Sequence, residues 1–163
     1  MKPLTLILGL LMLGHVVANS DARPTGGAGQ SGAGANDRKY IVLPRPASSA
    51  DAPFSEGVLV GNTLYVAGQL GRDPKTGQLA ADPGEEALMA LDNIKRVVEA
   101  AGMTMDDLVS VQVFCSDVSN YDVFNGAYRT YFHGNFPARA FLGSGKLLLG
   151  ARYEVMGIAV KRR

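Results

Sequence analysis

The segment 152–161, Arg-Tyr-Glu-Val-Met-Gly-Ile-Ala-Val-Lys, constrains the fold more than any other part of the chain. Side chains alternate along an extended backbone. Read as a strand, the segment sends Tyr153, Val155, Gly157 and Ala159 to one side and Glu154, Met156, Ile158 and Val160 to the other. Both sets are largely apolar, so both sides need cover. Only two helical segments stand elsewhere in the chain, and two helices cover one face of a sheet. The simplest cover for the second face is another copy of the chain, which predicts a homo-oligomer.

The first helix opens at Asp82-Pro83, an N-cap acid followed by proline at the first helical position. Glu85 and Glu86 fall in its first turn, where the helix dipole favours acids. Leu88, Leu91, Ile94, Val98 and Ala101 recur at three- and four-residue spacing, and Gly102 stops the run. The second helix starts at Ser119, with Asp122 three residues on, and carries Val123, Phe124, Ala127, Tyr128 and Tyr131 as its stripe. Gly126 inside it costs about 1 kcal/mol relative to alanine. Thr104-Met105-Asp106-Asp107 reads as a capping box on a short turn.

Strands fill the remainder. Tyr40–Leu43 is β-prone and ends at Pro44. Val58–Val60 and Thr63–Gly68 flank a Gly61-Asn62 hairpin turn. Val109, Val111, Val113 and Cys115 alternate with Ser110, Gln112 and Phe114. A short strand follows Pro137, then a bend at Gly143-Ser144-Gly145 and the closing strand. The expected fold is α+β, a mixed, partly parallel sheet with two helices on one face.

The N-terminus differs in kind. Met1-Lys2 is charged, Leu4 to Val17 is almost wholly apolar, and Ala18-Asn19-Ser20 supplies small residues two apart. That order predicts a secretory signal over 1–20. The apolar run is short for a membrane span; an uncleaved anchor and a misread start site are the competing readings. Cleavage would leave a secreted or periplasmic protein with no membrane contact. Residues 21–38 are rich in Gly, Ala and Ser with no bulky apolar side chain, and are expected to form a flexible linker to a domain over 39–163.

Composition narrows the chemistry. The formal net charge of +1 gives no electrostatic footprint for nucleic acid. One cysteine, Cys115, cannot form a disulfide within the chain or a thiolate metal cage. Of the two histidines, His15 lies in the signal and only His133 would remain. No histidine metal site is expected. Catalysis would rest on carboxylates, arginine, backbone groups and water.

Two side chains then stand out. Phe136-Pro137-Ala138-Arg139-Ala140-Phe141 places an arginine after a proline, and Glu154 sits inside the apolar closing strand. A buried carboxylate needs a partner. One reading is a salt bridge joining strands or subunits. The other is a small-acid pocket shared by Arg139 and Glu154, since arginine's planar fork grips a carboxylate bidentately. Other signals are weaker. Gly143-Ser144-Gly145-Lys146 lacks the first glycine and the Ser/Thr of a phosphate loop. His133 reads as a capping or surface residue, Cys115 as core, Asp73 and Glu56 as loop acids with no visible partner, and Lys161-Arg162-Arg163 as a solvated tail.

Several stretches together resemble the RidA (YjgF) family. They are Ala52-Pro53-Phe54-Ser55-Glu56-Gly57-Val58, Leu64 to Leu70, Asp73-Pro74-Lys75-Thr76-Gly77, Ala90 to Ile94, Asn125-Gly126-Ala127-Tyr128, Pro137-Ala138-Arg139, and Tyr153 to Val160. The resemblance spans 52–163. It implies a chorismate-mutase-like fold and a homotrimer whose sheets form a central barrel, with clefts between neighbouring subunits. It implies hydrolysis of 2-aminoacrylate-type enamines and imines to 2-keto acids and ammonia, without metal or organic cofactor. It implies that Arg139 grips the substrate carboxylate and Glu154 positions the attacking water. Phe54, contributed by the neighbouring subunit, and Asn125 match cleft-lining positions, and backbone groups around Ala140-Phe141 would hold the substrate nitrogen.

The chain departs from the family pattern at Phe54 (commonly tyrosine), Glu56 (glutamine), Ala67 (serine), Phe141 (cysteine or another small residue), Lys146-Leu147-Leu148 (Arg-Leu-Pro) and Met156 (a second acid). These departures bear on substrate preference. Three functions follow in order: an enamine/imine deaminase; a non-catalytic small-carboxylate-binding or chaperone-like protein on the same trimeric scaffold; and a ribonuclease, which the near-neutral charge and single remaining histidine disfavour.

Overall fold

The computed structural model describes residues 37–47 and 51–162. The expected signal 1–20 and nearly all of the expected linker 21–38 lie outside the described residues. The first strand, β1 (Arg38–Ile41), begins one residue inside that linker and stops before Leu43. β2 (Gly57–Val60) and β3 (Thr63–Leu70) form the expected hairpin, with Gly61 at φ 59 in the turn. β4 (Leu108–Cys115), β5 (Ala138–Gly143) and β6 (Tyr153–Val160) complete one six-stranded sheet in the order β1-β2-β3-β6-β4-β5.

Only β4 and β5 pair in parallel. Parallel neighbours need a crossover, and α2 (Tyr121–Arg129) supplies it. The other helix, α1 (Pro83–Ala100), links β3 to β4. Asp82 caps it by accepting the N–H groups of Gly84 and Glu85 at 2.8 and 3.0 Å. Both helices pack on the same face. Leu64, Val66, Val111, Val113, Cys115, Tyr153, Val155 and Ala159 from the sheet meet Ala87, Ala90, Leu91, Ile94, Val97, Val98, Phe124, Ala127 and Tyr128 from the helices.

Three residues expected in apolar stripes lie outside the core. The buried stripe of α1 centres on Ala90, Leu91, Ile94, Val97 and Val98, which leaves Leu88 exposed. An irregularity in the β4–β6 pairing between Leu108 and Ser110 buries Leu108 and turns Val109 outward. α2 begins at Tyr121 after a 3-10 turn, Val118–Asn120, capped by Asp117 on the Ser119 N–H, and its phase leaves Val123 exposed.

One charged pair was not foreseen. Glu86 has no exposed surface. It accepts the Arg152 backbone N–H and the Arg152 guanidinium, each at 2.6 Å. The acid read as a dipole partner thus bolts α1 to the start of β6. At the sheet's second face Tyr40, Val60, Tyr65, Leu142 and Met156 are exposed, so the helices cover one face only, as the closing strand implied.

Candidate active site

Arg139 belongs to β5, an edge strand, and stands in register with Val111 of β4, whose side chain is in the helix-covered core. The arginine therefore turns toward α2. Its guanidinium carbon lies 4.5 Å from the Tyr128 ring centre and 5.9 Å from those of Tyr121, Phe124 and Phe141. Aromatic faces attract a cation without using its N–H donors. Asn125, one turn before Arg129 on α2, accepts from Nη2 at 2.6 Å. Among the described residues, ion pairs join Arg45 to Glu56, Lys95 to Glu99, His133 to Asp106, Arg152 to Glu86 and Arg162 to Asp107; Arg139 is in none. A half-buried guanidinium is left with an aromatic nest, one amide and free donors. Burial pushes the neighbouring Tyr128 phenol up to about 12, against the pull of the Arg139 charge.

Glu154 belongs to β6, beside Tyr153, which is fully buried in the helix-side core. Alternation sends Glu154 to the second face, opposite Phe114 on β4 and Leu70 on β3. The β3–β6 register shifts between Val66 and Gln69, and this brings Gly68 against the Glu154 carboxylate. A Cβ at Gly68 would overlap Oε1, so the glycine makes the space the acid occupies. Asn93 of α1 fixes the far end of β3, donating from Nδ2 to the Leu70 and Arg72 carbonyls at 2.9 and 2.8 Å. Glu154 faces a cavity of about 500 Å³ that Phe54, Gly68, Arg72 and Leu149 also line. Leu149 is held at φ 59, a conformation rare for a branched side chain.

One chain therefore does not join Arg139 to Glu154, either as a salt bridge or in a shared pocket. Their β4 partners, Val111 and Phe114, are three residues apart, and an odd separation on a strand means opposite faces. The expected site residues divide accordingly. Asn125 and Phe141 stand with Arg139 on the helix side; Phe141 packs edge-on to Tyr121 with ring centres 5.0 Å apart. Phe54, half exposed, stands with Glu154 at the cavity. Ala140, in register with Gln112, turns its methyl to the second face, and its backbone lies on the sheet edge.

The residues set aside earlier find partners. Glu56 is buried and pairs with Arg45, which correction rests on a loop contact no spacing rule encodes. Asp73 accepts the N–H groups of Thr76 and Lys75, both at 2.8 Å, which hold its carboxyl below the usual value. Cys115 is core, and burial pushes its thiol up. The His133 backbone N–H donates to Asp106 at 3.2 Å, with the ring exposed.

The family model described as Endoribonuclease L-PSP matches residues 45–161. A 2-iminobutanoate/2-iminopropanoate deaminase of Capra hircus is 40% identical over 126 residues, covering 76% of this chain and 90% of that protein. Among solved structures, the Escherichia coli YjgF gene product superposes with a TM-score of 0.71 at 35% identity, covering 76% of this chain and 99% of the other. E. coli TdcF with bound serine gives a TM-score of 0.70 at 29% identity, covering 76% and 100%.

Proposed function

This chain belongs to the RidA family, the one matched under the description Endoribonuclease L-PSP, and from that premise we propose that it is an enamine/imine deaminase. It hydrolyses 2-imino acids, among them 2-iminopropanoate and 2-iminobutanoate, to 2-keto acids and ammonia. The observation that carries the reading is the Arg139 fork: half-buried, oriented by Asn125 and without an acid partner among the described residues, it is built for an anion from elsewhere.

The chemistry asks little more of the protein. An enamine tautomerises to its imine, whose carbon is already electrophilic. Arg139 holds the substrate carboxylate and fixes that carbon in place. Glu154 orients a water and accepts its proton as the C–O bond forms. That proton passes to nitrogen, giving a carbinolamine; the proton of its hydroxyl then moves by way of Glu154 to the same nitrogen as the C=O bond forms and the C–N bond breaks, releasing ammonia and a 2-keto acid. The backbone groups of Phe141, on the open edge of β5, are available to the substrate nitrogen, whereas those of Ala140 are turned toward β4. Phe141 narrows the space beside Arg139, and Phe54 covers the Glu154 cavity.

Arg139 and Glu154 meet only if two chains cooperate. We therefore propose a homotrimer in which the apolar second faces form a central barrel, with Arg139, Asn125 and Phe141 of one subunit facing Glu154 and Phe54 of the next. The exposed Tyr65, Leu142 and Met156 support this, as does the odd strand offset between the two catalytic groups. The sequence of residues 1–20 supports export of the mature chain, secreted or periplasmic, with no membrane contact after cleavage. Small-carboxylate binding without turnover is a second reading, favoured by Phe141 crowding the arginine. RNA cleavage is not part of the proposal, because a net charge of +1 offers little attraction to a phosphate backbone.

The test generates short-lived imines in place with an amino-acid oxidase or a dehydratase and times keto-acid release. Acceleration by the mature protein that is lost in Arg139→Ala supports the deaminase. A folded oligomer that accelerates nothing but is stabilised by small carboxylates supports the binding reading instead.

A further inference from the structure

Loop 51–56 walls one side of the Glu154 cavity and contains no helix or strand. Its backbone makes one hydrogen bond within the loop, from the Phe54 N–H to the Ala52 carbonyl at 2.9 Å, and one to β3, where the Glu56 carbonyl accepts the Ala67 N–H at 2.9 Å. Arg45 supplies most of the remaining contacts that fix the loop. Nε pairs with the Glu56 carboxylate, Nη1 donates to the Ala52 carbonyl at 3.1 Å, Nη2 donates to the Phe54 carbonyl, and the guanidinium carbon lies 4.8 Å from the centre of the Phe54 ring. The other Glu56 oxygen accepts the Leu43 N–H at 3.1 Å. The Arg45 side chain is only 12% exposed, so these contacts have replaced its water. All three guanidinium nitrogens are thus engaged with one short loop whose bulky exposed side chain is Phe54.

We propose that Arg45 is a positioning residue for the substrate pocket: locked by Glu56, it sets where the Phe54 ring stands over the Glu154 cavity. Its effect passes through Phe54, since its own contacts are with the loop. The role in catalysis rests on the deaminase reading; the coupling of Arg45 to Phe54 does not, and the two are tested separately.

The chain has no tryptophan, so Phe54→Trp places the sole indole at the cavity mouth, excited selectively over the six tyrosines at the red edge of its absorption. The expected result is high steady-state anisotropy that falls when Arg45→Ala is added, and falls less with Glu56→Gln. Unchanged anisotropy in both backgrounds overturns the clamp. In steady-state kinetics on 2-iminobutanoate made in place, Arg45→Ala should raise KM about tenfold and leave kcat within about twofold. In a Phe54→Ala background the same change should add nothing, because non-additivity marks residues acting through one another. Additive losses, or a fall in kcat with KM intact, overturn the positioning role. Should Arg45→Ala fail to fold, Glu56→Gln decides by the same readouts. If the wild type shows no turnover, the deaminase reading fails and the anisotropy alone decides the clamp.

Discussion

Arg139 and Glu154 leave the sheet on opposite faces, and neither has an acid–base partner among the described residues of its own chain. Each stands in a prepared setting. Arg139 has four aromatic rings and Asn125 about it, and Glu154 has the space left by Gly68. Two charged groups so placed do not meet within one chain, which is why the proposed reaction calls for a second copy.

Replacing the fork with a point charge tests the carboxylate grip. Arg139→Lys keeps one positive charge and loses bidentate geometry together with the Asn125 contact. Losing one charge-assisted hydrogen bond costs about 1.5–3 kcal/mol, a loss of roughly tenfold to a hundredfold in kcat/KM. Steady-state kinetics with several imines reads it. A lysine variant as active as wild type would remove the bidentate grip from the account.

Gly68 offers a cleaner separation of folding from function. It is not among the positive-φ glycines, so alanine suits its backbone, and the atoms a methyl would strike belong to the movable end of Glu154. Gly68→Ala should change stability by less than about 1 kcal/mol, since the unfolded chain also loses freedom. Turnover should fall at least about tenfold if Glu154 holds the attacking water as proposed, because its carboxylate is displaced. Normal turnover in a normally stable variant would mean that the position of Glu154 is immaterial.

The opposite pattern is expected at the α1–β6 bolt. Arg152→Ala leaves the fully buried Glu86 carboxylate with backbone donors alone. Removing one partner of a buried pair costs about 3–5 kcal/mol. Urea unfolding should show that loss as a lower midpoint with an unchanged slope. A shift under about 1 kcal/mol would show that water reaches Glu86 and replaces the arginine.

Asp107 gives the acid limb of stability. Burial alone would raise its carboxyl, but the Thr104 N–H at 2.7 Å, the Arg162 guanidinium at 2.8 Å and the Thr104 hydroxyl hold it below its ordinary 3.8. A carboxyl depressed on folding adds stability that is full above the unfolded value and disappears as pH falls through the lower folded value. Asp107→Asn should therefore lower Tm at neutral pH, and the gap to wild type should close as pH drops below 3.8. A gap that stays constant to low pH would assign the loss to shape rather than charge. Asp73 and Asp117, also held low by backbone donors in turns, keep some acid sensitivity in both proteins.

Much of the fold was legible because local rules and packing agree. Asp82-Pro83, Gly61-Asn62, the Thr104–Asp107 box and the alternation of 153–160 each encode geometry within a few residues, and each stands as read. The errors fall where register decides. Val109 turned outward because of an irregularity set by β6, and Leu88 and Val123 because tertiary phase overrode a looser periodicity. Arg139, Asn125, Phe141, Glu154 and Phe54 are the candidate site residues that the sequence offers. Their division between two faces is not legible there, because it depends on which β4 residue each strand meets. Arg45, Glu56, Glu86 and Gly68 were missed for the same reason: their partners lie 11 to 66 residues away or across a bulge, with no spacing to announce them.

The most direct measurement mixes two inactive variants. Arg139→Ala and Glu154→Gln, each purified, are unfolded together in equal amounts, refolded, and assayed for keto-acid release from an imine made in place. If each site takes Arg139 from one subunit and Glu154 from its neighbour, random trimers should recover about one quarter of the wild-type rate, since one interface in four pairs two intact groups. Refolding each variant alone should recover nothing. A mixture as inactive as its parents, beside a wild type that refolds to full activity, would contradict the shared site.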